Sequence, residues 1–423
     1  MRVLFTAYAE KAHFLGMVPL AWAMQNAGHE VRVASQPELT DVITRAGLIA
    51  VPVGKDHILH KLDHGHDPGA DFDFDFAETR EEKLTWDYVK SGYGDLFVPW
   101  WARVVNDPMI GQLTEFAQQW KPDLVIWEPV TFAGAIAAKV CGAAHARFLW
   151  SIDLFAMMRA RYMQFVNEKQ DVRQDALRRW IDNRAERFGA SFSEDMASGH
   201  FTIDCLPPSV RLRFDVDVKY QSMRYVPYNG VAELPRWLRE DPERPRVAIT
   251  LGTSATERVG NLPISVQNVL DAVADLDIEV VATLPEEEQA KLTAVPDNTR
   301  LVPFVPLDAL APTCSAVINH GGGGTFMTTL VRGVPQLILP FMFDDAMRAR
   351  RLAAAGAGMS MEKGDVSTDT VRTKLLALLE QPSYKENAAK LRDEAMSMPS
   401  PSDFVPELER LTAEHRDAAV SGA

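Results

Sequence analysis

Two hydrophobic rhythms alternate along this chain. Short, nearly continuous apolar runs, "RVLFTAYA" (2–9), "EVRVAS" (30–35), "LIAVPV" (48–53), "DLVIWEP" (123–129) and "HARFLWS" (145–151), have the length and residue types of buried strands. Between them lie segments whose apolar positions recur every three or four residues: "LGMVPLAWAMQNAG" (15–28), "ELTDVITRAG" (38–47) and "AGAIAAKVCG" (133–142). These predict helices. The pattern restarts at "PRVAITLGT" (245–253), with a helix over "PISVQNVLDAVADL" (263–276), strands at "IEVVATL" (278–284), "TRLVPF" (299–304) and "APTCSAVINH" (311–320), and helices from 325 and 346. Strands apolar on both faces, separated by helices, predict parallel sheets covered on each side. The expected architecture is α/β, with two doubly wound Rossmann-like domains.

The aperiodic, Pro-rich and charged stretch "VPYNGVAELPRWLREDPERP" (226–245) predicts a linker between an N-terminal domain (1–225) and a C-terminal domain (246–400). A last helix, "SDFVPELERLTAEHRD" (402–417), lies in a tail (401–423) expected to cross back to the first domain. Two segments, about 57–110 and 151–200, read as insertions on the first sheet, where α/β folds meet substrates. A length of 423 residues fits two domains.

Composition narrows the function. The net charge of −14 excludes a nucleic-acid partner, which needs a basic face. No apolar stretch approaches the roughly 18 residues of a membrane span. The N-terminus lacks a cleavage site behind its apolar run, so a cytoplasmic location is expected. Cys141, Cys205 and Cys314 are widely spaced, which fits a reducing compartment and offers no zinc framework.

The chemistry concentrates in "NHGGGGTFMTTLVRGVP" (319–335). A strand ending in His and four glycines and passing into a helix lets a ligand approach bare backbone, and the leading amides of the helix favour an anion, phosphate above all. Thr325 adds a hydroxyl and His320 a ring N–H. The alternative is a tight strand-to-helix turn without a ligand. No Lys-Ser/Thr follows the glycines, so this is no magnesium-dependent P-loop, and the spacing is not that of a dinucleotide fingerprint. Two stretches have metal-like spacing. His57, His60, His64 and His66 in "DHILHKLDHGHD" (56–67) form either a metal patch or a solvated loop. "DFDFDF" (71–76) is either an Asp-x-Asp metal motif or an edge strand with Phe inward. No metal is expected at either.

"HGGGGT" followed by "GVPQLILPFMFDDAMRARRLAAAGAG" (333–358) resembles the donor-site signature of family 1 nucleotide-sugar glycosyltransferases with the GT-B fold. The resemblance extends through "HFLGMVPLAWAMQNAGHEV" (13–31), "PDLVIWEPVTFAG" (122–134), "MRYVPYNG" (223–230), "ITLGTSA" (249–255) and "VPDNTRLVPFVPLDALAPTCSAVINHGG" (295–322). It is greatest with actinobacterial transferases that place deoxy- or aminosugars on macrolide or anthracycline aglycones. It implies that His320, Gly322, Gly323, Gly324 and Thr325 hold a diphosphate, with Gly252 and Thr253 closing on it, and that Phe304 and Val305 meet the nucleobase. Phe304 read on its own is equally a core residue. The resemblance gives Asp344 sugar hydroxyls, and puts Asp345 where Gln is usual; both acids also suit a solvated helix start. Further implications are His13 as general base in the loop before the first helix, Glu128 as its orienting carboxylate, and no metal or other cofactor beside a thymidine diphosphate (TDP) sugar as co-substrate.

The acceptor is the least specified element. Trp86, Phe97 and Trp150, with Tyr93, Trp100 and Trp101, supply aromatic surface either for a hydrophobic aglycone pocket or for core. The resemblance further implies a P450-like auxiliary activator protein, with the helices of 160–190 as a docking face, and a homodimer stays open. A GT-B-type nucleotide-sugar 2-epimerase and a non-catalytic auxiliary protein are the alternatives. The first needs no acceptor pocket, and the second would be expected to lose His13 or the glycine loop.

Overall fold

Seven parallel strands build one sheet of the computed structural model, which describes residues 1–59, 74–170, 172–251, 265–361 and 366–421. They are β1 (Arg2–Thr6), β2 (Glu30–Ser35), β3 (Ala50–Pro52), β4 (Leu124–Trp127), β5 (Ala144–Phe148), β6 (Phe201–Asp204) and β7 (Tyr220–Ser222), in the order β3-β2-β1-β4-β5-β6-β7. The apolar runs predict β1 to β5, and β4 shows why, since all four of its residues are fully buried; β6 (FTID) and β7 (YQS) are additions to the expected strands, too short and polar to stand out in the sequence. Helices lie close on the sheet. A Cβ at Gly134, in the helix Phe132–Cys141, would come within 2.4 Å of Thr6 and 2.7 Å of Trp127, so only glycine permits that approach.

The second sheet contains β8 (Arg246–Thr250), β9 (Glu279–Thr283), β10 (Thr299–Val302), β11 (Ala316–Asn319), β12 (Gln336–Ile338) and β13 (Gly358–Ser360), all parallel, in the order β10-β9-β8-β11-β12-β13. This is the doubly wound order whose switch point falls between β8 and β11. Val247, Ile249, Val280, Ile318 and Leu337 form the middle of its core.

The contacts divide the chain into two units, one of Met1–Cys205, Leu212–Met223 and Pro399–Ala423, the other of Leu206–Arg211 and Arg224–Met398. Several sequence expectations change here. The stretch 226–245 is built into the second unit: Leu238 is buried among Val305, Leu310 and Val317, and Trp237 lies under the guanidinium groups of Arg246 and Arg300. The helix expected over 15–28 spans Val18–Asn26, and a separate short helix, Lys11–Leu15, precedes it. Residues 74–76 are no strand; Phe74 and Phe76 turn into an aromatic cluster with Tyr88, Phe97 and Phe155. Residues 71–73 lie outside the described part. The last helix, Pro401–Ser421, packs on Val18–Asn26 and on β5 within the first unit, burying Phe404, Val405, Leu408 and Leu411.

Candidate functional site

In the first unit three chemically active side chains leave the carboxyl ends of three neighbouring strands. His13 follows β1, Glu128 follows β4 and Trp150 follows β5. His13 stands on the one-turn helix Lys11–Leu15 and not in a loop; Glu10 caps that helix by accepting from the Ala12 amide at 3.3 Å. The Nδ1 of His13 lies 3.1 Å from Oε2 of Glu128, which has no exposed surface. The same oxygen accepts the indole N–H of Trp150 at 3.0 Å and the amide of Val130 at 3.3 Å, while Oε1 accepts the hydroxyl of Thr131. Thr131 in turn accepts the Tyr8 amide at 2.8 Å, joining the exits of β1 and β4.

These contacts fix the chemistry of His13. A carboxylate is an acceptor only, so the imidazole proton sits on Nδ1 and the lone pair on Nε2. The ring is clamped as well: Trp150 stacks on it with centroids 4.1 Å apart and planes at 26°, and Tyr8 meets its edge at 5.0 Å. An imidazole held by a buried carboxylate, its second nitrogen without a hydrogen-bond partner among the described residues, is the arrangement of a general base.

The acceptor candidates divide. Trp150 touches His13 directly. Phe97 is buried among Tyr93, Trp101, Phe132 and Phe155, two rings removed from His13 through Phe155 and Trp150. Trp86 is half-buried against Tyr162, with the Lys169 ammonium over its ring.

In the second unit His320 follows β11, and the helix Gly323–Val331 begins three residues later. Gly321 turns with φ 95°, its amide held by the Asn319 side chain at 2.8 Å. The first bond closing the helix runs from the Phe326 amide to the Gly322 carbonyl at 2.9 Å, so the amides of Gly323, Gly324 and Thr325 lead it without an intrahelical acceptor. A Cβ at Gly322 would stand 2.3 Å from Nε2 of His320, so bare backbone and ring share one space. His320 is buried, its Nδ1 has no hydrogen-bond partner among the described residues, and burial pushes its pKa down, with nearby Asp345 opposing and Arg348 adding to the shift. The ring is therefore neutral and able to donate one N–H.

Asp344 and Asp345 follow β12, the strand beside β11. Neither is solvated, in contrast to the simpler sequence reading: both are buried, and Nη2 of buried Arg348 lies 3.0 Å from Asp344 and 2.8 Å from Asp345. Asp345 also accepts the Met342 amide at 3.1 Å. Sequence reasoning missed Arg348, although its spacing of four and three from the two acids on one helix was visible. It also missed Tyr225, whose hydroxyl lies 3.9 Å from where a Cβ of Gly324 would be. Phe304 is 48% exposed, which removes the core alternative for it, whereas the Val305 side chain is core. Gly252 and Thr253 lie outside the described residues.

Among the described histidines, His57 and the pair His145 and His200 are engaged by the protein itself. His57 accepts the Leu59 amide at Nδ1 and donates from Nε2 to the Ala9 carbonyl at 3.2 Å; His60, His64 and His66 lie outside the described residues. His145, Asp195 and His200 have metal-ligand spacing. Yet Nδ1 of His145 accepts the Trp127 indole N–H and Nδ1 of His200 accepts the His145 amide, both at 3.2 Å, so each ring carries its proton on Nε2, aimed at Asp195. Asp195 accepts from His145 at 3.0 Å, the His200 ring lies 3.6 Å from the same oxygen, and the His415 ring stacks on His200.

Residues 22–252 match the N-terminal domain, and residues 267–411 the C-terminal domain, of the family described as erythromycin biosynthesis protein CIII-like. Over 425 residues the chain is 45% identical to the 10-deoxymethynolide desosaminyltransferase of Streptomyces venezuelae, covering 98% of each chain. It is 46% identical to the TDP-daunosamine transferase DnrS of Streptomyces peucetius, covering 100% of this chain and 99% of the other. The solved glycosyltransferase VinC, in complex with DTDP, superposes with a TM-score of 0.87 at 39% identity over 98% of this chain and 100% of that one. Two doubly wound parallel sheets and these relatives define a glycosyltransferase of the GT-B fold. Within that class, the chain belongs to the erythromycin biosynthesis protein CIII-like family. Among the described residues no helix is long and apolar enough to cross a membrane.

Proposed function

We propose that this glycosyltransferase moves a deoxy- or aminosugar from a TDP donor to a hydroxyl of a polyketide aglycone, macrolide or anthracycline in type, with inversion at the anomeric carbon, in antibiotic biosynthesis. The observation that carries the reading is the oriented His13–Glu128 pair, and the transfers named for the relatives support it.

The acceptor O–H loses its proton to Nε2 of His13 as its oxygen forms a bond to the anomeric carbon. The bond from that carbon to the diphosphate oxygen breaks, and its electron pair departs on TDP. Glu128 stabilises the imidazolium that forms. The amides of Gly323, Gly324 and Thr325, the ring of His320, and Gly252 with Thr253 take the diphosphate charge, so the step requires no metal ion. Exposed Phe304 offers its face to the thymine. Asp344 and Asp345 read the sugar, with Arg348 fixing their carboxylates. Trp86, Phe97 and Trp150 belong to the acceptor side through the aromatic cluster. A P450-like auxiliary protein on the helices of 160–190, and a homodimer, complete the reading of partners; size-exclusion chromatography with and without such a protein tests both.

The decisive experiment is calorimetric binding of TDP and UDP to wild type and His13→Ala, alongside sugar transfer. TDP-selective binding in both proteins, with transfer falling by roughly 100-fold or more in the variant, is expected. Unchanged transfer would remove His13 as base.

A further inference from the structure

We propose that Trp150 is a positioning residue for His13, acting on it by two routes at once: its ring face fixes the imidazole plane, and its indole N–H competes with His13 for one oxygen of Glu128. The inference rests on the general-base reading of His13.

The geometry sets Trp150 apart from an ordinary lining aromatic. Oε2 of Glu128 receives Nδ1–H of His13 at 3.1 Å and Nε1–H of Trp150 at 3.0 Å, so the charge on that oxygen is divided between two donors of similar length. The indole plane meanwhile covers the imidazole at 4.1 Å. A third neighbour, Tyr8, bounds the ring edge-on, and Val130 supplies the remaining donor to Oε2. The ring therefore has one permitted plane and one permitted tautomer.

The turn carrying Trp150 is built to hold it still. At one end the Leu149 amide bonds to the Ile203 carbonyl of β6 at 2.9 Å. At the other, Asp153 caps the helix Leu154–Glu168 by accepting the Ala156 amide at 3.1 Å, accepts the Tyr220 hydroxyl at 2.7 Å, and pairs with the buried guanidinium of Arg147. Phe155 packs edge-on against the indole at 5.9 Å. A side chain serving only as flexible acceptor contact would not need both ends of its turn pinned.

The two routes act with opposite sign on the protonated ring. Removing the indole N–H leaves Glu128 to concentrate on His13, which favours the imidazolium; removing the aromatic face withdraws a cation–π contact, which disfavours it and lets the plane turn. Trp150→Phe tests the first route, keeping a ring face. Trp150→Leu removes both.

The measurement is a 15N-histidine NMR titration of the full-length wild type and both variants, with the His13 signals assigned by their loss in His13→Ala. In wild type a single Nδ1–H tautomer is expected. In Trp150→Phe the titration midpoint of His13 should rise by roughly 0.5–1 unit with the tautomer retained. In Trp150→Leu the midpoint should fall relative to Trp150→Phe, and the Nε2–H form should appear. A wild-type midpoint and tautomer in folded Trp150→Phe, with TDP binding retained, would overturn the proposal, and that variant decides the matter should Trp150→Leu not fold. Normal sugar transfer by His13→Ala would instead remove the base reading while leaving the titration result standing, so the two failures are distinct.

Discussion

Bare backbone and a buried ring compete for one space at Gly322. Adding a methyl group there would bring carbon within 2.3 Å of His320 Nε2, and the imidazole is too enclosed to swing clear without cost. Gly322→Ala is therefore expected to weaken TDP binding roughly tenfold or more by calorimetry while the far-ultraviolet dichroism stays native, since 1.4 kcal/mol of displacement is a factor of ten. Residues of this kind were legible because chain neighbours made them: His320 and four glycines stand together in the sequence. Trp150 as a partner of His13 was not, because 137 positions separate them in number. A signal existed nonetheless. The doubly wound strand order puts the carboxyl ends after β1, β4 and β5 side by side, and His13, Glu128 and Trp150 are among the polar-tipped side chains at those three ends. The solvated alternative for Asp345 fails for the opposite reason. Its neighbours in sequence suggested an open helix start, but Arg348 one turn on draws it inward.

Strand positions followed from the longer apolar runs, as at β1, β4, β8 and β11, since a parallel strand buried on both faces carries its signal in every residue; the short strands β6, β7, β12 and β13 offer only three or four residues each, some of them polar, and were not anticipated. Helix limits were harder. The segment 15–28 has continuous apolar spacing, yet Pro19 falls at the start of a fresh helix and the Glu10 cap opens a separate turn before it. No period could show which distant elements share a contact, as with the clasp of His145 on β5, Asp195 on the helix Asp195–Ser198, His200 before β6 and His415 on the last helix. Burial first, then the neighbouring His145 and His415, push the pKa of His200 down to about 3, and burial also lowers that of His415. An unfolded histidine titrates near 6.5, so between that value and about 3 the unfolded chain holds more protons at His200 than the folded one, and the lowered pKa of His415 acts in the same direction below 6.5. Stability contributed by the clasp is thus complete above pH 6.5 and is lost as pH falls through this window. Chemical denaturation at pH 7.5 and 5 should show a drop that is smaller in His200→Asn; equal slopes in the two proteins would dismiss the clasp as its source.

The molecule as a whole is divided less simply than its two patterns suggest. The boundary expected near 226 is close to Arg224, where the long second-unit segment begins, but Leu206–Arg211 visits that unit earlier, anchored there by the Ser209 amide on Glu394 at 3.0 Å and the Ser209 carbonyl on Arg351 at 2.8 Å. The first unit is assembled from three separate pieces of chain. A fragment of residues 1–223 lacks the helix whose Phe404, Val405, Leu408 and Leu411 cover the helix Val18–Asn26 and β5. Sedimentation should find that fragment aggregated, and the same fragment joined by a short linker to residues 399–423 monodisperse, because the restored helix covers the apolar face. Equal behaviour of the two would show that the last helix is dispensable.

That closing helix also sets an order on the making of the protein. The ribosome delivers the chain from its N-terminus, and domains ordinarily fold in the order of their synthesis. Here the unit begun first waits for Pro399–Ala423, while the unit begun second has its whole sequence in hand earlier. Of the two units, the one that carries His13 is sealed later, and a nascent chain cut short at any point before Pro401 leaves that unit without its closing helix.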